Sequence, residues 1–295
     1  VNYPFWRIGD LRITRIIEMD ASPAVQEILA DANPAALTRA QWLSPDYLDA
    51  AGRLTGVIQS FVIEGPDGVT IVDTCVGNGK HRSGPPWDHV ASDFLTRLAR
   101  DLVDPADVRR VVCTHLHFDH VGWNTRLQDG AWVPTFPNAR YILCDREFRY
   151  WHANPANESE DHRGGVLDSI QPIVDAGLLD LVSDDQMVSD TMRFVPSPGH
   201  TPHHVSVLLE SRGERALVTG DAFHHPCQIA YPDWSTISDF DPVQARQSRL
   251  DLLQRYAGTG TAFIGTHFAE PAIGVLQTEA GSYFLSPFAG GSAMP

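Results

Sequence analysis

The chain has 295 residues, of which 43% are hydrophobic and 20% charged, as expected of a globular fold with a sizeable core and not of a disordered or repetitive chain. Thirty-seven acidic against 22 basic side chains give a formal net charge of −15. That balance repels phosphate backbones and anionic bilayers and argues against nucleic-acid and membrane partners. No apolar run reaches the roughly 18 residues of a membrane-spanning helix, and residues 1–20 lack the apolar stretch of a signal peptide. Cytoplasm is the expected location; a removed leader and a periplasmic location stay open, because the chain starts at Val1. The four cysteines, Cys75, Cys113, Cys144 and Cys227, show no CxxC spacing and read as reduced residues with a packing role.

Residues 11–18 partly alternate and predict a strand. Residues 20–56, with several prolines, predict an N-terminal excursion over the core. Two strands, 57–64 and 69–73, flank the turn Gly65-Pro66-Asp67-Gly68, a hairpin signal. A helical pattern covers 90–102, and Asp104-Pro105 offers a cap followed by proline at a first helical position. Short apolar strands are expected at 109–114 and 139–144, then a helix at 145–152, a polar loop at 153–166 and a helix at 168–176. Strands at 191–196, 204–210 and 215–219 follow, then an amphipathic helix from Asp241-Pro242 to about Tyr256 and a strand at 261–266. Interspersed strands and helices in two halves of similar make-up predict an α/β layered fold. With no linker between the halves, residues 1–295 read as one domain.

Chemistry concentrates behind the strand at 109–114, in His115-Leu116-His117-Phe118-Asp119-His120. Imidazole and carboxylate are the ligands a zinc-like cation takes. Burying so many polar groups together would be costly without a compensating charge. His115 and His117 can converge on one ion, and Asp119 and His120 on a second. Three later segments end apolar runs in further donors: Pro198-Gly199-His200, Thr219-Gly220-Asp221 and Gly265-Thr266-His267.

The HxHxDH motif followed by His200, Asp221 and His267 resembles the metallo-β-lactamase superfamily, over about residues 8–270. Asp73, in Ile71-Val72-Asp73-Thr74, matches an early aspartate of that family. The resemblance implies an αβ/βα four-layer sandwich. It implies two divalent metal ions, zinc first, with manganese, iron or cobalt as alternatives. His115, His117 and His200 would bind one ion, Asp119, His120 and His267 the other, and Asp221 both, with Asp73 orienting a ligand histidine or the loop.

A bridging aspartate at Asp221, where the best-known metallo-β-lactamases carry cysteine, resembles the binuclear hydrolases. The expected reaction is attack of a metal-bridging hydroxide on a small neutral ester or lactone. Asp119 and His224 are the candidate proton carriers. Acyl-homoserine lactonases commonly have tyrosine three residues after the bridging aspartate; His224 is instead similar to methyl parathion hydrolase-like enzymes, so phosphotriester hydrolysis is the alternative. A glyoxalase II-like thioesterase is disfavoured by the lack of lysine and arginine in residues 271–295. A non-catalytic metal or redox protein is the remaining class. The expected partner is a small-molecule substrate, and a homodimer stays open. His81, His89, His152, His162, His203 and His204 have no motif support and read as non-ligands.

Overall fold

The computed structural model describes residues 3–154 and 159–291. It is mixed α/β and divides into two compact units, one of residues up to 19 with 58–184, the other of Asp20–Val57 with Asp185–Gly291. The segment predicted as an N-terminal excursion therefore packs with the C-terminal part of the chain. Tyr47, for instance, meets the rings of His225 and Phe268 edge-on.

The first unit is built on a seven-stranded sheet. Its strands are β1 (Phe5–Ile8), β2 (Leu11–Asp20), β3 (Val57–Gly65), β4 (Gly68–Val72), β5 (Val108–Val112), β8 (Arg140–Cys144) and β9 (Leu179–Val182), in that spatial order. A small separate hairpin, β6 (Thr125–Gln128) and β7 (Ala131–Pro134), precedes β8. The β3–β4 hairpin closes at Gly65 and Gly68 as the turn residues require. From β4 onward the pairs are parallel. Such strands are buried on both faces, which is why β4, β5 and β8 read as apolar runs.

The second unit carries a seven-stranded sheet of β10 (Met187–Ser189), β11 (Met192–Pro196), β12 (Val205–Ser211), β13 (Glu214–Val218), β14 (Ala262–Ile264), β15 (Ile273–Glu279) and β16 (Ser282–Ser286). All its pairs are antiparallel except β13 with β14. The helix Pro242–Tyr256 starts where its sequence predicts. The Asp241 side chain accepts from the N–H groups of Val243 and Gln244, and proline occupies the first turn.

Two predicted elements change. The helix expected over 90–102 is confined to Phe94–Arg97 and a wider turn at Leu98–Leu102. The polar stretch 153–166, read as loop, contains the helix Glu160–Gly165 (residues 155–158 lie outside the described residues). Ser159 caps that helix by accepting from His162 N–H. Its closing glycine has a packing reason, because a Cβ on Gly165 would stand 3.1 Å from the Phe118 backbone.

Lys80 is the chain's one lysine, and its side chain is fully buried. Nζ donates to Thr125 Oγ1 at 2.8 Å, pairs with Asp168 Oδ1 at 3.3 Å and lies 3.8 Å from the Trp132 ring centre. Arg82, also buried, clamps the same Asp168 at 2.8 and 3.2 Å. Burial pushes the Lys80 pKa down to about 8, further than Asp168 restores it. The unfolded value is about 10.4, so between these two values the folded state binds fewer protons. Unfolding free energy should therefore rise with pH across that window, and below pH 8 the full cost of the buried charge is carried. We expect Lys80→Met to abolish this slope. The stability of the parent relative to the variant should improve by up to about 3 kcal/mol between pH 7.5 and 10.5 in urea titrations. A pH-independent difference would refute the assignment.

Candidate metal centre

In the first unit β4 and β5 run parallel with Val72 opposite Val112, so the residues leaving both strands emerge together, where open α/β sheets place ligands. Asp73 leaves β4 at a positive φ of 54°, an uncommon and strained conformation for a non-glycine residue. Its buried carboxylate accepts from Thr114 N–H at 2.8 Å and Thr114 Oγ1–H at 2.9 Å. It also receives His120 Nδ1 at 2.8 Å. With its own proton given to Asp73, Thr114 Oγ1 is left to accept from His115 Nδ1, 3.0 Å away. The network thus assigns the protons of His115 and His120 to Nδ1 and leaves each Nε2 with its lone pair.

The His115 ring lies 4.6 Å from His117 and 4.1 Å from His120, centre to centre. His117 immediately precedes the short helix Phe118–Val121, which carries Asp119 and His120. Asp119 Oδ2 is 3.7 Å from His120 Nε2. Gly122 ends this turn because no side chain fits there: a Cβ would stand 1.8 Å from the Val76 carbonyl oxygen.

In the second unit β11, β13 and β14 point the same way, so His200, Asp221 and His267, a few residues beyond their ends, leave the same edge. The buried Asp221 carboxylate is encircled. His200 Nε2 is 3.2 Å from Oδ2, His224 Nε2 3.1 Å from Oδ2 and His267 Nε2 3.1 Å from Oδ1. Thr266 Oγ1 donates to Oδ1 at 3.0 Å. Two of the far nitrogens are held as well. His267 Nδ1 faces the Val57 carbonyl oxygen at 3.1 Å and His200 Nδ1 faces Asp239 Oδ1 at 3.2 Å. The Asp221 backbone N–H donates to His204 Nε2 at 2.9 Å.

Burial works against charge on His200, but the carboxylates of Asp221 and Asp239 outweigh it and lift its pKa to about 9. This pocket favours positive charge. Burial pushes His224 the other way, below the ordinary histidine value. The neighbouring His225 has a different role: its Nε2 faces the Tyr47 carbonyl at 2.9 Å, its Nδ1 accepts from Cys227 N–H, and burial pushes its pKa to about 4.

The residues singled out from sequence thus fall into two groups. His115, His117, Asp119 and His120 gather in the first unit; His200, Asp221, His224 and His267 gather in the second. Each group fits a divalent cation by its chemistry, with imidazole and carboxylate donors, the Nδ1 atoms of His115, His120, His200 and His267 tied down and their Nε2 atoms presented.

Three contributors were not read as such. Asp239 orients His200, His204 fixes the Asp221 backbone, and His162 lies face to face with His117 at 3.8 Å and 15°. No spacing links Asp239 to His200, since the loop carrying it is brought there by Phe240 N–H donating to the His200 carbonyl. All four cysteines are free and buried, as their composition suggested. Among the described residues no helix is long and apolar enough to cross a membrane.

Residues 54–262 match the model of the metallo-beta-lactamase superfamily. The N-acyl homoserine lactonase AttM of Azorhizobium caulinodans is 30% identical over 231 residues, which is 70% of this chain and 80% of that protein. Two solved structures share the fold. The hydrolase AbOPH of the beta lactamase superfamily has a TM-score of 0.78 at 23% identity, with 98% of each chain covered. AidC, a dizinc quorum-quenching lactonase in complex with a product, has a TM-score of 0.76 at 18% identity, with 100% of this chain and 99% of that one covered. The chain belongs to the metallo-beta-lactamase superfamily and is a metal-dependent hydrolase.

Proposed function

We propose that the protein hydrolyses a small neutral ester or lactone, with zinc as the metal. The observation that carries this reading is the Asp221 carboxylate, met by the Nε2 atoms of His200, His224 and His267. One carboxylate surrounded by imidazoles, with the other nitrogens of His200 and His267 tied down, suits a shared ligand. His115, His117 and His200 would hold one cation, Asp119, His120 and His267 a second, and Asp221 both. Two such cations supply Lewis acidity, acidifying the attacking water and polarising the substrate carbonyl.

The chain's own residues do the rest. Asp73, Thr114 and Asp239 keep His115, His120 and His200 in the required tautomer. His224 is anchored by its backbone N–H to Gln228 Oε1 at 2.7 Å. With Nε2–H directed at Asp221 Oδ2 and burial favouring the neutral ring, its Nδ1, which has no hydrogen-bond partner among the described residues, carries a lone pair and can take up a proton, leaving Asp119 as the candidate to protonate a leaving alkoxide. The lactonase activity named for AttM and AidC supports the lactone reading. Histidine instead of tyrosine at position 224 supports phosphotriester hydrolysis as the second reading. We expect purified protein to contain about two metal ions per chain. A panel of a lactone, an aryl ester and an aryl phosphotriester should give its highest kcat/KM on the lactone or ester. A highest value on the phosphotriester would transfer the assignment to the second reading, and full activity of metal-stripped protein would overturn both.

A further inference from the structure

The loop that buries Lys80 and Arg82 carries a cluster of metal-binding side chains separate from the residues assigned above. His81 Nδ1 is 2.9 Å from Asp88 Oδ1, and His89 Nδ1 is 2.8 Å from the same oxygen. The three candidate donor atoms all lie within 4.8 Å of one another. We propose that His81, Asp88 and His89 form a further binding site for a borderline divalent cation, zinc, nickel or copper, with water completing the coordination.

The case rests first on donor chemistry. Two imidazoles and a carboxylate are a zinc-type set, and ligands of a tetrahedral zinc stand roughly 3.3 Å apart for bonds of about 2.0–2.1 Å. The two imidazole–carboxylate contacts lie within about half an ångström of that and the two imidazole donors within 4.8 Å of each other, so side-chain rotations would admit an ion. In the hydrogen-bonded arrangement a single oxygen serves both imidazoles and also accepts Arg82 N–H at 2.8 Å. A cation would take over the two imidazole contacts and let the rings separate.

Preorganisation is the second support. His81 is flanked by Lys80 and Arg82, whose buried side chains are fixed on Asp168. Across the loop, His89 N–H donates to the Lys80 carbonyl at 2.8 Å and Gly79 N–H to the Val90 carbonyl at 2.9 Å. His89 is held at a positive φ of 48°, a conformation that histidine adopts more readily than most side chains but still uncommon. The loop therefore spends backbone strain to put His89 beside Asp88, while 70% and 61% of the His81 and His89 side chains stay exposed to an incoming ion. Fixed ligand backbones lower the entropy lost on binding.

The test uses tag-free, zinc-loaded protein passed through gel filtration, then titrated with zinc chloride at pH 7.5 in a calorimeter. The parent protein is expected to take up one more equivalent than the H81A/H89A variant, with D88N intermediate. Copper(II) added instead should show imidazole-nitrogen couplings in pulsed electron paramagnetic resonance that the double variant lacks. Equal uptake by parent and double variant, or no further uptake by the parent, would overturn the proposal. Failure of the residues assigned under the functional reading to bind metal would lower the totals of both proteins alike and leave their difference intact, so failure of that reading is told apart from failure of this one.

Discussion

Asp221→Ala should lose bound metal and hydrolysis together, with kcat/KM falling on the order of 10⁴-fold, the equivalent of the several kcal/mol that metal-ion charge stabilisation supplies. The reason lies in the ring of donors around this one carboxylate. His200, His224 and His267 each place Nε2 within 3.2 Å of it, and Thr266 fixes its rotation. Alanine removes a negative charge that makes the pocket favourable to cations, and with it part of the lift on the His200 pKa, the rest of which comes from Asp239. Asp221→Asn keeps the shape but not the charge, so it should resemble alanine in metal content while staying closer to the parent in stability. Metal analysis with kcat/KM on a lactone checks both. An Asp221→Ala protein with normal metal content and rate would remove Asp221 from the centre.

Asp239→Ala has the next largest expected effect, on two separable quantities. Asp239 is fully buried and takes His200 Nδ1 at 3.2 Å, Thr236 N–H and Oγ1–H at 3.1 Å, and the Arg249 guanidinium at 3.5 Å. Burial opposes its charge, but the His200 hydrogen bond and the nearby positive groups outweigh that and hold its pKa below the usual carboxylate range. Removing it strands the buried Arg249 on the Pro232 carbonyl and Ser235 Oγ alone. The expected cost is about 3 kcal/mol of stability, and the loss of an orienting partner should weaken zinc affinity about 10–100-fold. The double variant Asp239→Ala with Arg249→Met separates these effects. Without a stranded charge, stability in urea should largely return, while zinc affinity, measured by competition with a chelator, should not. Recovery of both would mean that Asp239 matters to the metal only through general stability.

The residues proposed as ligands could be picked out from the chain because four of them fall within six positions, and the others each follow an apolar run by a few residues. Strands that leave one sheet edge deliver such residues together, as β11, β13 and β14 do. The residues that hold those six positions and His200 in place could not be read in that way. Asp239 and Glu147 act through tertiary contacts across 39 and 31 residues, the first on His200 and the second on Leu116 N–H. Nothing in local spacing marks either one.

Short elements were also hidden. β6, β7 and β16 have few buried side chains, so they show little hydrophobic period to detect. The helix Glu160–Gly165 is polar and ends in two glycines, which local propensity assigns to loop. Its place is decided instead by close packing on Phe118 and by the capping Ser159.

The burial of Lys80 has a consequence for chemical reactivity. With the chain's one lysine enclosed by Thr125, Asp168 and Trp132, the folded surface offers no lysine amine to acylating reagents or amine-directed cross-linkers. Nζ becomes accessible to such a reagent only when this loop opens. A mass shift on the peptide containing Lys80 is then a clock for local unfolding, read against a background free of other lysine signals.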